Sequence, residues 1–97
     1  MVVVELSIVP VGTGSTSVSK YIRQAVDLLK ERGLDYRVTP MATVIEGDLD
    51  KVMEACKEVH RSVLETEVNR VITTIKIDDR KDKELTMESK VRAVEEG

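Results

Sequence analysis

Apolar and polar residues alternate in four stretches of the chain, as in β-strands with one buried face. In the first stretch Val2, Val4, Leu6 and Ile8 fall on one side, while the other side is mixed. Pro10 and the polar loop that follows it are expected to end this strand. The pattern predicts strands over residues 2–9, 35–39, 42–46 and 69–78.

Apolar residues at three- and four-residue spacing predict helices between these strands. Ser17 is expected to cap a first helix that ends at Gly33. Asp48 is expected to cap a second helix that runs to about Thr66, and a short terminal helix is predicted over residues 85–94.

The order of these elements is β-α-β-β-α-β, which predicts a ferredoxin-like α+β fold in a single domain over residues 1–97. We expect a four-stranded antiparallel sheet with two helices on one face, plus the short C-terminal helix. The first and third strands are expected to be parallel neighbours at its centre. That arrangement would bring residues 10–17, the Glu46–Asp48 corner and Arg70 to one end of the sheet, with Asp78 to Arg80 at the other.

The second face of the sheet is predicted to be neither fully polar nor fully apolar. It would present Val3, Val9 and Ile72 beside Glu5, Ser7, Arg70, Thr74 and Lys76. Such a face is too apolar to be only solvated, so we expect it to meet another subunit or a ligand.

Composition narrows the classes of partner. The formal net charge is -3 and aromatic residues make up 2% of the chain, which argues against a nucleic-acid-binding surface. Cys56 is the sole cysteine, and the apolar run at the N-terminus is interrupted by Glu5. A cytoplasmic protein with no membrane association is therefore expected.

Several polar residues are candidates for chemistry, and each also has a structural interpretation. Glu46 ends a strand, where it could contact a ligand or help to cap the next helix. The Gly12–Ser17 loop could hold an anion, although it is not a Walker motif. Asp78 and Asp79, with Arg80, could bind a divalent cation, but a salt-bridge cluster that orders the C-terminal tail or a subunit contact is favoured.

Two further side chains lie on the apolar stripe of the second helix. Cys56 is expected to be a buried, inert thiol, and His60 to pack at the edge of the stripe. Without a convincing nucleophile, base or set of metal ligands, we predict no catalytic residue, no metal site, no cofactor and no enzymatic activity.

Five motifs, in order along nearly the whole chain, resemble those of the thiamine-binding protein family, which is also described as YkoF-like. They are E-L-S-I-V-P-V-G at 5–12, S-V-S-K-Y-I at 17–22, G-L-D-Y at 33–36, M-A-T-V-I-E-G at 41–47 and I-K-I-D-D-R at 75–80.

The resemblance implies binding of thiamine or its hydroxymethylpyrimidine portion by a homo-oligomer, commonly a dimer of dimers. By motif, the implied ligand-binding residues are Ser7, Thr43 and Glu46, followed by Arg70 and Lys76. Tyr21, Tyr36 or Met41 could pack against the heterocycle.

Two rival hypotheses remain open. In one, the chain is a structural or regulatory module whose mixed sheet face only joins subunits or another protein. In the other, it is an enzyme that acts on a phosphorylated metabolite through the Gly12–Ser17 loop.

Overall fold

A computed structural model describes residues 1–14 and 18–96. One four-stranded sheet has the strand order β2-β3-β1-β4, and every neighbouring pair is antiparallel. This is the predicted ferredoxin-like α+β fold with an added C-terminal helix. The elements, in chain order, are β1 (Val2–Val11), α1 (Ser19–Glu31), β2 (Asp35–Val38), β3 (Thr43–Gly47), α2 (Leu49–Leu64), β4 (Arg70–Asp78) and α3 (Met87–Glu96).

The core lies between one face of the sheet and helices α1 and α2. Val2, Val4 and Leu6 point into it from β1, as their alternation predicts, and Ile45 joins them from β3. They meet buried residues at helical spacing, of which Ala25, Leu29, Val52 and Val59 are examples. The pure apolar stripes of strands and helices therefore face each other, which buries the largest apolar area.

The helix ends follow the predicted local chemistry where they are described. The backbone amide of Lys51 donates to the Asp48 carboxylate at 3.3 Å, which confirms Asp48 as the N-cap of α2. Gly33, with φ of +69°, ends α1, and its amide donates to the Lys30 carbonyl at 3.0 Å. The proposed cap of α1, Ser17, lies outside the described residues.

The expectation that the first and third strands are parallel is wrong, because β1 and β3 are antiparallel neighbours. The crossover through α1 makes β2 parallel to β1 but leaves a gap of one strand between them. β3 returns through a hairpin from β2 and fills that gap, so it runs against both.

This change of direction moves Glu46 to the other end of the sheet. Glu46 and Asp78 both pair with Val3, one on each side of β1. Arg70 instead pairs with Val11, beside the loop that follows β1. The predicted convergence of Glu46 with Arg70 and this loop is therefore wrong.

β1 also continues through Pro10, where the sequence predicted its end. Beyond Leu6, which pairs with Thr43, β1 pairs with β4 alone among the described strands. Pro10 pairs with Val71 there. A proline lacks a backbone amide hydrogen, so it is tolerated where one side of the strand needs no ladder hydrogen bond.

α3 covers one end of the second sheet face, which we call the open face. Leu85 and Met87 are buried against Val3, with Val44 packed beside them. Thr86 and Ser89 exchange hydrogen bonds at 3.0 Å between the amide of each and the hydroxyl of the other, which fixes the start of the helix. Part of the mixed face is thus covered within the chain itself.

Candidate functional site

Two of the five predicted site residues, Ser7 and Thr43, lie together in one cavity of about 160 Å³. It opens where β1 extends past the start of β3, between the β2–β3 hairpin and the first turns of α1. We call it the hairpin cavity. Its lining includes Ser7, Val9, Ile22, Val38, Met41 and Thr43.

The Thr43 hydroxyl is the notable polar group of the hairpin cavity. Thr43 is 7% exposed, yet within the described residues its side chain makes no hydrogen bond to another protein group. Ser7, which is half-buried, likewise has no side-chain partner there. Among the described residues no side-chain polar atom is both fully buried and without a hydrogen-bond partner, so solvent reaches the Thr43 hydroxyl through the cavity, and both hydroxyls are available to a bound molecule.

The hairpin sets the remaining walls of the cavity. Thr39 fixes its tip by donating from its hydroxyl to the Ala42 carbonyl at 2.7 Å and accepting from the Ala42 amide at 3.1 Å. This arrangement leaves Met41 87% exposed at the rim and Val9 47% exposed beside it. The hairpin cavity therefore has the Thr43 hydroxyl inside, apolar walls and an apolar rim.

Glu46 does not reach the hairpin cavity, because it lies at the opposite end of the sheet. One carboxylate oxygen, Oε2, accepts a hydrogen bond from the backbone amide of Met87 at 2.7 Å. Met87 is the first residue of α3, so the carboxylate satisfies an amide that has no partner inside the helix. Glu46 caps a helix, as its structural interpretation suggested, but the helix is α3 rather than α2.

Lys76 lines a second cavity, of about 400 Å³, between the open face and α3. We call this cavity the α3 groove; Glu5, which pairs with Lys76, and Arg37 also border it. Arg70 is exposed at the far end of β4 and lines neither cavity. The structure thus brings Ser7 and Thr43 together and separates them from Glu46, Arg70 and Lys76.

The aromatic candidates face the core rather than the hairpin cavity. Tyr21 is buried against Val63 and Val68, and its hydroxyl donates to Glu67 at 3.1 Å. Burial and this neighbouring carboxylate raise the pKa of Tyr21. Tyr36 packs on the main core. Of the three proposed packing residues, Met41 alone lines the hairpin cavity.

The other candidates have structural roles. Cys56 is buried, and burial raises the pKa of its thiol to about 11, so the reactive thiolate is disfavoured at neutral pH. His60 is half-buried, and its Nδ1 lies 2.7 Å from the Thr73 hydroxyl. Asp78 forms an ion pair with Lys90 of α3, which matches the favoured ion-pair interpretation.

The contribution of α1 to the site was not predicted, and that of the hairpin was predicted only through Met41. Ile22 of α1 and Val38 of β2 line the hairpin cavity, but neither was among the predicted ligand contacts. A usable signal was present in Pro40-Met41, because Met41, already proposed to pack against the heterocycle, follows a turn proline and so marks the hairpin as part of the site.

No helix in residues 1–14 and 18–96 is both long and apolar enough to cross a membrane. The same part of the chain contains no group of three or more His, Cys, Asp or Glu side chains placed to hold a metal ion.

Comparison with known proteins points to one family. The family model described as thiamine-binding protein matches residues 4–95. A protein of Methanocaldococcus jannaschii is 48% identical over 95 residues, which cover 98% of this chain and 93% of the relative. The YqgV protein of Bacillus subtilis is 37% identical, over 97% of this chain and 94% of the relative.

Solved structures agree with the fold. A crystal structure of the Methanocaldococcus jannaschii protein matches with a TM-score of 0.90, over 98% of this chain and 96% of that one, at 48% identity. A Thermotoga maritima protein provisionally assigned to thiamine biosynthesis or salvage matches with a TM-score of 0.80, at 27% identity, over 96% of this chain and 97% of that one.

Proposed function

The chain belongs to the thiamine-binding protein family, and we propose that it is a non-enzymatic binding protein for thiamine or its hydroxymethylpyrimidine portion, with the ring in the hairpin cavity. The observation that carries this proposal is the Thr43 hydroxyl, which has no hydrogen-bond partner among the described residues and lines that cavity from β3. The neighbour provisionally assigned to thiamine biosynthesis or salvage supports the same ligand class.

The chemistry of the cavity suits an aminopyrimidine. A hydroxyl both donates and accepts, so Thr43 and Ser7 can pair with a ring nitrogen and with an exocyclic amino group. The faces of the ring would pack on aliphatic walls and on Met41, whose flexible thioether adapts to flat groups. The polar groups would set orientation, and the apolar walls would supply most of the affinity.

Oligomerisation would complete this pocket. The hairpin cavity, at about 160 Å³, is smaller than the roughly 300–1,000 Å³ of most small-molecule sites, and its apolar rim at Met41 and Val9 faces outward. A second subunit placed on that rim would deepen the pocket and bury the rim. We propose a homo-oligomer, a dimer of dimers, located in the cytoplasm, where the lone thiol of Cys56 needs no partner.

The decisive substitution is Thr43→Val, which removes the hydroxyl and keeps the branched shape of the side chain. We expect affinity for thiamine and for hydroxymethylpyrimidine, measured by calorimetric titration, to fall about fivefold to tenfold, as for loss of one hydrogen bond. Ser7→Ala is expected to weaken binding in the same direction.

Thr74→Val is the matched control, because Thr74 pairs with Ser7 across β1 and β4 but lies outside the hairpin cavity. It should leave affinity unchanged. Equal affinity for the Thr43→Val and Thr74→Val proteins, or no heat with either ligand from the intact wild-type chain, would refute the proposal.

A second candidate function is a structural or regulatory module whose open face joins subunits. The observation in its favour is the pair Val9 and Ile72, which face each other across β1 and β4 on the part of the open face that α3 leaves uncovered. A heterocycle that copurifies with the protein would favour the first function, and a ligand-free interface packed over the cavity mouth would favour the second.

A further inference from the structure

The α3 groove has the size and layout of a small-molecule site. Its volume is about 400 Å³, within the usual range for such sites. Val3 and Val44 form an apolar floor on the sheet, and Met87 and Val91 form the wall on α3. The groove is distinct from the hairpin cavity, and the two meet only at Thr39.

The charges around the groove do not cancel. Asp78 and Lys90 pair with each other and hold α3 over the sheet. Among the residues that the structure describes, Glu5, Arg37 and Lys76 form no ion pair, which leaves one acid and two bases on the rim. The groove therefore has an excess of one positive charge in the absence of a ligand.

The strand register places the excess positive charge on the side of the groove that β2 forms. Arg37 pairs with Val44, Val44 with Glu5, and Glu5 with Lys76, so these four side chains form one row across the open face. Glu5 is next to Lys76 and offsets its charge, since directly opposed side chains lie about 5 Å apart. Arg37 stands beyond Val44, two strands away from Glu5.

From this arrangement we infer that the α3 groove binds a small apolar molecule that carries one carboxylate. The apolar part lies on Val3 and Val44 beneath Met87, and the carboxylate meets Arg37. A guanidinium is planar, permanently charged and able to donate two parallel hydrogen bonds, which matches a carboxylate better than an ammonium does. The inference is independent of the thiamine proposal, because it uses a different cavity and a ligand of opposite charge.

Octanoate is the probe for this inference, with octanol as the uncharged molecule of the same chain length. Each is titrated into the full chain labelled with ¹⁵N, and amide shifts are followed by NMR. Octanoate should shift Val3, Val44 and Met87 in a saturable manner, and octanol should bind more weakly. Arg37→Gln should lower the affinity for octanoate about fivefold, as for loss of an exposed charge pair.

Arg23→Gln is the matched control, because Arg23 is exposed on α1, away from the groove, and the substitution removes the same charge. It should leave the affinity for octanoate unchanged. The inference is overturned if octanoate does not bind saturably at the groove, if octanol binds equally well, or if Arg37→Gln and Arg23→Gln weaken binding alike. Displacement of octanoate by hydroxymethylpyrimidine would also overturn it, since the two ligands would then share one site.

Discussion

Glu46 shows how the role of one residue depends on a segment distant in sequence. Its position at a strand end suggested either a ligand contact or a cap for the helix that follows it. The carboxylate instead accepts from the Met87 amide, 41 residues later. The N-terminus of a helix carries a partial positive charge and unpaired amides, so a carboxylate there stabilises α3.

At this residue we predict that Glu46→Ala destabilises the fold by about 1 kcal/mol, as for loss of a helix cap. The loss should be concentrated in α3, whose amides should exchange faster with solvent. Glu46→Gln keeps an acceptor oxygen and should retain most of the stability. The measurements are urea unfolding followed by circular dichroism, and amide hydrogen exchange. Unchanged exchange in α3 of the Glu46→Ala protein would contradict this role.

At the scale of elements, α1 ends where Gly33 adopts a left-handed conformation, with φ of +69°. The amide of Leu34 then donates a hydrogen bond to the Leu29 carbonyl at 3.1 Å. The amide of Gly33 donates to the Lys30 carbonyl. These bonds satisfy carbonyls that would otherwise have no partner and direct the chain into β2. Apart from Gly33 and its two chain neighbours, no atom of the described residues lies within 4 Å of the position a Cβ would take at Gly33.

We therefore predict that Gly33→Ala destabilises the protein by about 1–2 kcal/mol, through backbone strain alone. Gly33→Asn should cost less, since asparagine tolerates the left-handed region better than other side chains do. Urea unfolding of the two variants beside the wild type provides the comparison. Equal losses for alanine and asparagine would indicate that sterics, rather than backbone conformation, set the cost at this position.

At the scale of the whole molecule, α3 covers one end of the open face and leaves the other end exposed. α3 buries Val3 at one end, while Val9 and Ile72 at the other end are 47% and 49% exposed. An apolar pair that stays exposed on a sheet face is typical of a surface that meets another molecule. The proposed oligomer would place a second subunit there.

If this surface joins subunits, Ile72→Glu should lower the mass of the protein in solution, because a buried unpaired carboxylate opposes association. Leu64→Glu is the matched control: Leu64 is 44% exposed, but it lies on α2, on the other side of the sheet. Light scattering coupled to size-exclusion chromatography measures both masses. If the mass remains that of the wild-type protein in the Ile72→Glu variant, this surface is not a subunit interface.

Local patterns were enough to predict the elements. The alternation in β1, the helical spacing in α2 and the turn residues at Gly33 and Asp48 each act within a few residues, and each was confirmed. The errors arose where distant segments interact. Pro10 stays in β1 because no strand of the described chain pairs with its free side, and that fact depends on where β3 begins.

The candidate site was predictable only in part. Local alternation placed Ser7 and Thr43 on strands. The register pairs Thr43 with Leu6 and so puts the two residues on opposite faces; their meeting in one cavity depends on the start of β3 at the exposed edge of β1. The direction of β3 separates Glu46 from them. A pairing error of this kind preserves every local pattern, which is why sequence periodicity does not detect it.

The sequence by itself determined the fold class, the composition of the main core and the inert character of Cys56, because these depend on short-range periodicity and burial. Tertiary structure alone decided that α3 covers the open face, that Glu46 caps it, and that Thr43 faces a cavity with its hydroxyl unpartnered in the described residues. The physical reason is that strand direction and the docking of a distant helix are set by packing between segments, and no local pattern records that packing.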